Sequence, residues 1–472
     1  MPNITFRARV QAPAGDNPPG WRVATAIRVL CLTVPLLGAC SLFDDEDRLE
    51  GERIPVRPEA REPVAPAPQA GGLTFGGVTS ATPGAGGGAL PPPQRIDAWT
   101  QTNGLASHNA GHLAGPVSLQ RAWTADAGTG SSAAGEITSA PVGANGRLFT
   151  LDAASRVRAF DADSGNRVWE TDLTPDGEDG DEGFGGGLAT VGGRVFATTG
   201  FGEVLALDAA GGEVLWRTRL GAPVRAAPAV ADGIVVAVAR DNSAFGIDAG
   251  TGEVRWRAQG ATSGAGLLGG ASPAIAGGGA VLPFGSGEIV AVGLQNGRRF
   301  WSAAISGGRR GLARSAISDV TGDPVIVGQL AIAANQAGRI VALIGRNGQR
   351  AWTRSVGATG PIWAAGDSLF LVTDTALLMR LSAQNGATIW QQQLPAFEDE
   401  EDREDPIGYS GPVLVEGRVL FTSSEGELFA FEGVGGSPVG VTDLAGGSVT
   451  GPVVLEDTLY VLNDDGTLEA YR

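Results

Sequence analysis

The nine residues DAAGGEVLW at 208–216 constrain the fold more than any other stretch, because their frame returns about every 45 residues. It reads DADSGNRVW at 161–169, DAGTGEVRW at 248–256, LQNGRRFW at 294–301, IGRNGQRAW at 344–352 and SAQNGATIW at 382–390. A weaker copy, EGVGGSPVG at 432–440, keeps the turn and puts Gly440 where the others have Trp. Apolar alternation leads into each copy, a Gly turn follows, and the Trp comes four residues after it. A repeat of this length built from short alternating segments implies a propeller or an array of small sheets that bury their faces on one another.

Each unit divides into four strands. In the first they cover 140–146, 147–155, 156–165 and 166–173, rich in Val, Phe, Leu and Thr, with Asn-Gly and Ser-Gly at the turns. The opening strand usually begins at a proline (Pro141, Pro228, Pro273, Pro324, Pro361, Pro412, Pro452), where a missing donor falls outside the ladder; the unit near Gly187 lacks it. The third strand carries an apolar residue in every unit, preceded by a small one in most; Arg380 is the exception. The last unit supplies three strands and then the chain stops, while the missing fourth, LQRAWTADAG around Trp123, stands before the first unit. Trp123, Trp169, Trp216, Trp256, Trp301, Trp352, Trp390 and the vacant Gly440 therefore count eight blades. The expected fold is all-β: an eight-bladed β-propeller of four-stranded antiparallel blades over 119–472, closed by an N-terminal strand joining the C-terminal blade. A ligand site is rarely needed eight times, so the Trp register is read as structural, each ring packing across a blade interface above the Gly turn. Asp161, Asp208, Asp248, Asn296, Asn347 and Asn385 would cap the turn donors.

Upstream of the blades the chain changes character. Arg7, Arg9, Arg22 and Arg28 precede an apolar run from Val29 to Leu37, too short for a mature membrane span, which ends in LLGAC with Cys40 last. That arrangement resembles a bacterial lipobox, implying removal of residues 1–39 and lipidation of Cys40; Ser41 after it favours the outer membrane. Residues 40–95, acidic and then rich in Pro, Ala and Gly, read as a disordered tether. Residues 96–118 hold both histidines, His108 and His112, and read as a docking segment rather than a metal site, since no third ligand accompanies them.

The formal charge is −17, and the leader contributes net positive charge, so the mature chain is more acidic still. Such a surface disfavours nucleic acid as a partner. Cys31 falls in the leader and Cys40 in the lipobox, leaving no pair for a disulfide. The acidic insertions at 176–182 and 398–406 lack the alternating spacing of a calcium loop and read as solvated.

The D-x-x-T/S-G-x-x-x-W units resemble the pyrroloquinoline-quinone (PQQ) propeller repeat over about residues 119–472. Quinoprotein dehydrogenases of that superfamily add a calcium-bound PQQ site with an adjacent Cys pair, which this chain cannot supply. No Ser-His-Asp set is available either, because both histidines precede the blades. With its lipobox, tether and complete ring, the chain is similar to the outer-membrane β-barrel assembly factor BamB family. In LARSAISDVTGDPVIV at 312–327, Ser318, Asp319, Val320 and Pro324 match a family loop, with Thr321 where a second Asp is frequent. In GAGLLGGASP at 264–273, Leu267, Gly269 and Pro273 match another, with Leu268 in place of an Arg. The resemblance implies a non-catalytic lipoprotein scaffold without cofactor or resident metal, held at the periplasmic face of the outer membrane by its lipid. Leu267, Leu268, Ser318, Asp319 and Val320 would dock on the POTRA domains of the barrel insertase. A PQQ- and calcium-dependent periplasmic oxidoreductase, or a propeller that binds unfolded outer-membrane proteins directly, are the alternatives.

Overall fold

The computed structural model describes residues 88–472 apart from 134, 181, 225, 263–269, 306–318 and 359. The described residues form strands, turns and loops without a helix. Eight antiparallel blades follow one another around the ring, each built on four strands in up-and-down order, and a two-stranded hairpin stands apart from them. In blade 1 these are Val142–Ala144, Arg147–Leu151, Arg156–Asp161 and Arg167–Asp172. Blade 8 takes Val453–Leu455, Thr458–Leu462 and Thr467–Tyr471 from the C-terminus and its outermost strand, Arg121–Asp126, from the N-terminal side. The ring is thus closed by strand pairing, with Arg121 opposite Tyr471 and Asp126 opposite Thr467. The 432–440 copy is sound: Pro438–Asp443 is the outer strand of blade 7.

The core lies between blades rather than within them. Leu148, Phe160 and Tyr460 join blade 1 to blade 8, and Val157, Leu188 and Leu205 join blade 1 to blade 2. Alternation explains this: strand residues on both faces are apolar because each sheet has a neighbour on either side. The two blade interfaces on either side of blade 5 follow the same rule, with Val341 facing blade 4 and Ile340 facing blade 6.

Each repeated Trp lies over the Gly turn of the next blade. Gly165, Gly212, Gly252, Gly297, Gly348, Gly386 and Gly436 have φ between 65° and 80°, and a Cβ on any of them would stand within 3 Å of the Trp of the preceding blade. Both facts require glycine there. Six of the indoles also donate to a carbonyl of that turn, at 2.5–3.2 Å. In the closing blade the Tyr460 hydroxyl donates to the corresponding carbonyl of Ala162 instead, at 3.0 Å. The carboxylates of Asp161, Asp208 and Asp248 accept from the turn amides, and Arg255 beside Asp248 helps pull that carboxyl down to about 2.

Ring closure also explains Gly440. A Trp in blade 7 would cover the hairpin between the third and fourth strands of blade 8, and no such hairpin exists, because Tyr471 and Arg121 belong to opposite ends of the propeller chain. Gly440 is exposed with open space around it. Gly212→Ala should cost about 2–4 kcal/mol through left-handed strain and the clash with Trp169. Gly440→Ala should stay within about 0.5 kcal/mol of the parent in denaturant unfolding.

Two prolines depart from the expected first position. The opening strands of blades 5 and 7, Val320–Val327 and Tyr409–Val415, start before Pro324 and Pro412 and accommodate them at register shifts, where no ladder donor is needed. Blade 2, without the proline, pairs continuously along Gly186–Val191.

Candidate functional site: a collared axial well

The innermost strands of the eight blades surround an axial channel, and the segment before the propeller winds once around one end of it. Ile96 accepts from the Glu456 amide of blade 8, and Ala98–Trp99 pairs with Gly143 and Ala144 as a fifth strand of blade 1. Thr100 then accepts from Thr190 of blade 2, and the Gln101 amide side chain both donates to and accepts from the Val230 backbone of blade 3. The carbonyls of Ala106 and Ser107 accept from Ile275 of blade 4 and Ile326 of blade 5. Gly111 accepts from the Trp363 indole of blade 6, and Leu113 exchanges bonds with Leu414 and Glu416 of blade 7. Every blade gives this collar at least one hydrogen bond, in ring order.

The collar needs irregular backbone, and its sequence supplies it: Asn103 and His108 adopt left-handed φ of 55° and 57°, and Gly104 and Gly111 positive φ of 89° and 80°. Both histidines are fasteners. His108 Nδ1 meets the Pro324 carbonyl at 2.8 Å, and His112 bridges the Pro91 carbonyl through Nδ1 and the Gly417 amide through Nε2. Residues 88–95, assigned to the tether from composition, are also held on the ring. Arg380, which replaces a small residue in blade 6, is buried against Phe370 and donates to the carbonyls of Gly88, Gly433 and Val434. It therefore seats residues 88–95 on the ring, where Leu90 packs against the core.

Burial holds the His108 imidazole below its ordinary value near 6.5, against the pull of Asp323. A depressed histidine is neutral when folded and protonates when unfolded, so stability should fall as pH drops through about 6.5, by at most ~1.4 kcal/mol per pH unit. Thermal melts between about pH 7.5 and 5.5 should show this slope in the parent and its reduction in His108→Asn; equal slopes would remove His108 from the account.

The collar sits at the ends of the innermost strands that lead into the first turn of each blade, the same face as the Trp-covered turns. It converts the channel into a well of about 330 Å³ with Trp99, Thr102 and Asn103 as its floor. The walls come from the opposite face, where blades connect: Thr138, Gly270, Thr321, Tyr409, Val449 and Val453 are among them. The indole of Trp99 is 2% exposed, stacks on Trp363 at 5.8 Å, and its N–H has no acceptor. Asp323 also faces the well, with one oxygen accepting from the Ser272 amide at 2.7 Å and the other from Asn103 Nδ2 at 3.2 Å. Burial raises the Asp323 carboxyl above its ordinary range.

The residues expected to dock a partner fall in different places. Val320 is 2% exposed and packs in the core between blades 4 and 5, so its side chain is not available to a partner. Asp319 is 8% exposed and engaged within the fold. Leu267, Leu268 and Ser318 lie outside the described residues, as does Cys40. Of the two matched stretches the described residues are 270–273, which lead into blade 4, and Asp319, which precedes the first strand of blade 5; Gly270 lines the well. The insertion at 398–406 forms a small exposed hairpin, Phe397–Asp399 with Glu404–Pro406, and no carboxylate group among the described residues gathers as a metal site. The well and its Trp99–Asn103–Asp323 lining were not readable from sequence, because each comes from a different place in the chain; the irregular His- and Gly-containing stretch 99–113 was the one available signal.

Fold and well together define a closed eight-bladed propeller of PQQ-type repeats with an axial well sealed at one end. The family model described as outer membrane protein assembly factor BamB matches residues 153–392, and the chain belongs to that family. A BamB of Yersinia pestis is 26% identical over 329 residues, covering 69% of this chain and 81% of the relative. The crystal structure of BamB from Moraxella catarrhalis superposes with a TM-score of 0.63 at 16% identity, over 75% of this chain and all of that one. Quinohemoprotein alcohol dehydrogenase from Comamonas testosteroni shares the fold, with a TM-score of 0.60 at 15% identity over 80% of this chain and 81% of that one. The described lining of the well does not fit PQQ, whose carboxylates call for cations: none of the described lining residues is basic, and Asp323 stands among them.

Proposed function

We propose that this chain is a non-catalytic lipoprotein scaffold of the outer-membrane protein assembly complex. Its membership of the BamB family carries the reading, supported by relatives named as assembly factors and by the two sequence matches at 264–273 and 312–327. In this reading residues 1–39 are removed, Cys40 is lipidated, and residues 40–87 tether the ring to the periplasmic face of the outer membrane. Leu267, Leu268 and Ser318, with the backbone around Asp319, meet the POTRA domains of the insertase. A rigid closed ring suits this task, because its loops are held by strands whose sheets pack face to face around a circle.

Exchanging Leu267 and Leu268 together for Asp should lower co-purification of the insertase at least tenfold while the melting temperature stays unchanged. Undiminished capture would overturn the docking assignment. Cys40→Ala should move the protein from the membrane to the soluble periplasmic fraction; persistence in membranes would remove lipidation as the anchor.

A further inference from the structure

We propose that the axial well is a receptor for a cationic peptide segment, which places one Arg or Lys side chain on Asp323 and a backbone carbonyl on the Trp99 indole. This goes beyond the scaffold reading and does not depend on which protein supplies the segment. Four observations converge on it.

First, Asp323 lies deep in the molecule yet keeps accessible surface, and the surface it lines is that of the well. An ionised carboxylate offers about four acceptor positions, and Asp323 has hydrogen bonds from Asn103 and the Ser272 amide. No cation among the described residues pairs with it. His108, the nearest titratable group, is kept neutral by its own burial and spends Nδ1 on Pro324. A buried acid without a counter-charge is the arrangement that an incoming cation stabilises most.

Second, the Trp99 indole N–H in the floor is buried and has no acceptor. A donor left in that state calls for an oxygen, and a cation alone would not provide one. A peptide carries both groups. Third, among the described residues the lining contains no basic side chain, and carboxylates of blade 7 and of the hairpin before it act on Tyr409 in the wall. The phenol of Tyr409, which lines the well, is raised by burial and then by Glu427, Glu400 and Glu425, and Glu398 is raised by Glu425. Those carboxylates, and a net charge of −17 over the whole chain, favour an incoming positive charge. Fourth, about 330 Å³ accommodates one long side chain with its flanking backbone, and Gly360, Gly411 and Gly451 in the wall allow close approach of a main chain.

The test uses the full purified chain and two capped peptides, acetyl-Gly-Arg-Gly-amide and its citrulline counterpart, which has the same shape without the charge. The indole 15N–1H signal of Trp99, assigned through Trp99→Phe, should shift saturably with the Arg peptide. The citrulline peptide, and the Arg peptide on Asp323→Asn, should each bind at least tenfold more weakly. Because Asp323→Asn alters a buried contact, Val449→Trp at the half-exposed rim provides a second variant: it should block the shift with the melting temperature unchanged. N-propylguanidinium, the same charge without a peptide, should bind at least tenfold more weakly than the Arg peptide. Equal binding of the citrulline peptide, equal binding of N-propylguanidinium, or an unmoved Trp99 signal would each overturn the proposal.

Discussion

Removing residues 88–113 is expected to destabilise the ring by on the order of 10 kcal/mol, comparable to the whole stability of an ordinary domain. The collar bonds to all eight blades, at roughly 1 kcal/mol net for each hydrogen bond, and buries Trp99 and Leu113, each contributing about 2–3 kcal/mol. Part of that sum is regained because the amides freed on the inner strands can bond to water. Hydrogen exchange provides the specific reading. The amides of Thr190, Ile275, Ile326 and Glu456 donate to the collar, and these four should lose protection first. A shortened chain that melts with the parent and keeps those amides protected would show the collar to be an ornament of the ring.

The second large effect is expected at the closure. Glu469 is fully buried on the last strand and accepts from Arg121 at 3.0 Å, from the Ala445 amide and Asn463 at 2.7 Å, and from Tyr471 at 2.9 Å. Arg121 belongs to the strand from the other end of the propeller chain, so this carboxylate joins the ends of the ring. Glu469→Ala should cost about 3–5 kcal/mol, since it leaves several buried donors without an acceptor. Glu469→Gln, which keeps the shape and one oxygen, should cost less. Burial pushes the Glu469 carboxyl up, but the four donors outweigh it and hold it below its ordinary 4.5. Its contribution is therefore present above about pH 4.5 and is lost as pH falls through the lower folded value. Urea unfolding from pH 7 to 3 should show the parent losing stability in that acid range more steeply than Glu469→Gln. Parallel curves would mean that the closure does not depend on the charge.

The repeat made much of the ring readable in advance. A Trp four residues beyond a Gly turn marks a blade wherever it occurs, because each Trp covers the Gly turn of the next blade and that contact repeats at seven of the eight interfaces. Strand number and the split last blade followed from counting. Gly440 was the weak point of that count, and its reason lies in the ring: the turn its Trp would cover is cut by the chain ends. Arg380 was likewise an exception in a column of small residues, and its partners at Gly88 and Gly433 are remote in sequence.

Val320 shows the limit from the other side. A local motif placed it beside Asp319 in a docking loop, yet the opening strand of blade 5 starts at that residue and turns its side chain into the core. Strand register is set by pairing across a sheet, which a short match along the chain does not reveal.

By itself, then, the sequence determined what recurs: the strand period, the Trp and Gly that lock neighbouring blades, and the number of blades. Tertiary structure alone decided what happens once: the collar's circuit of the channel, the seating of residues 88–95, and the meeting of Trp99, Asn103 and Asp323 in one well. The physical reason is separation. Repeated contacts join each blade to the next at a constant spacing and leave a periodic trace in the sequence, whereas Asn103 and Asp323 are 220 residues apart and meet because the closed ring brings both to its axis.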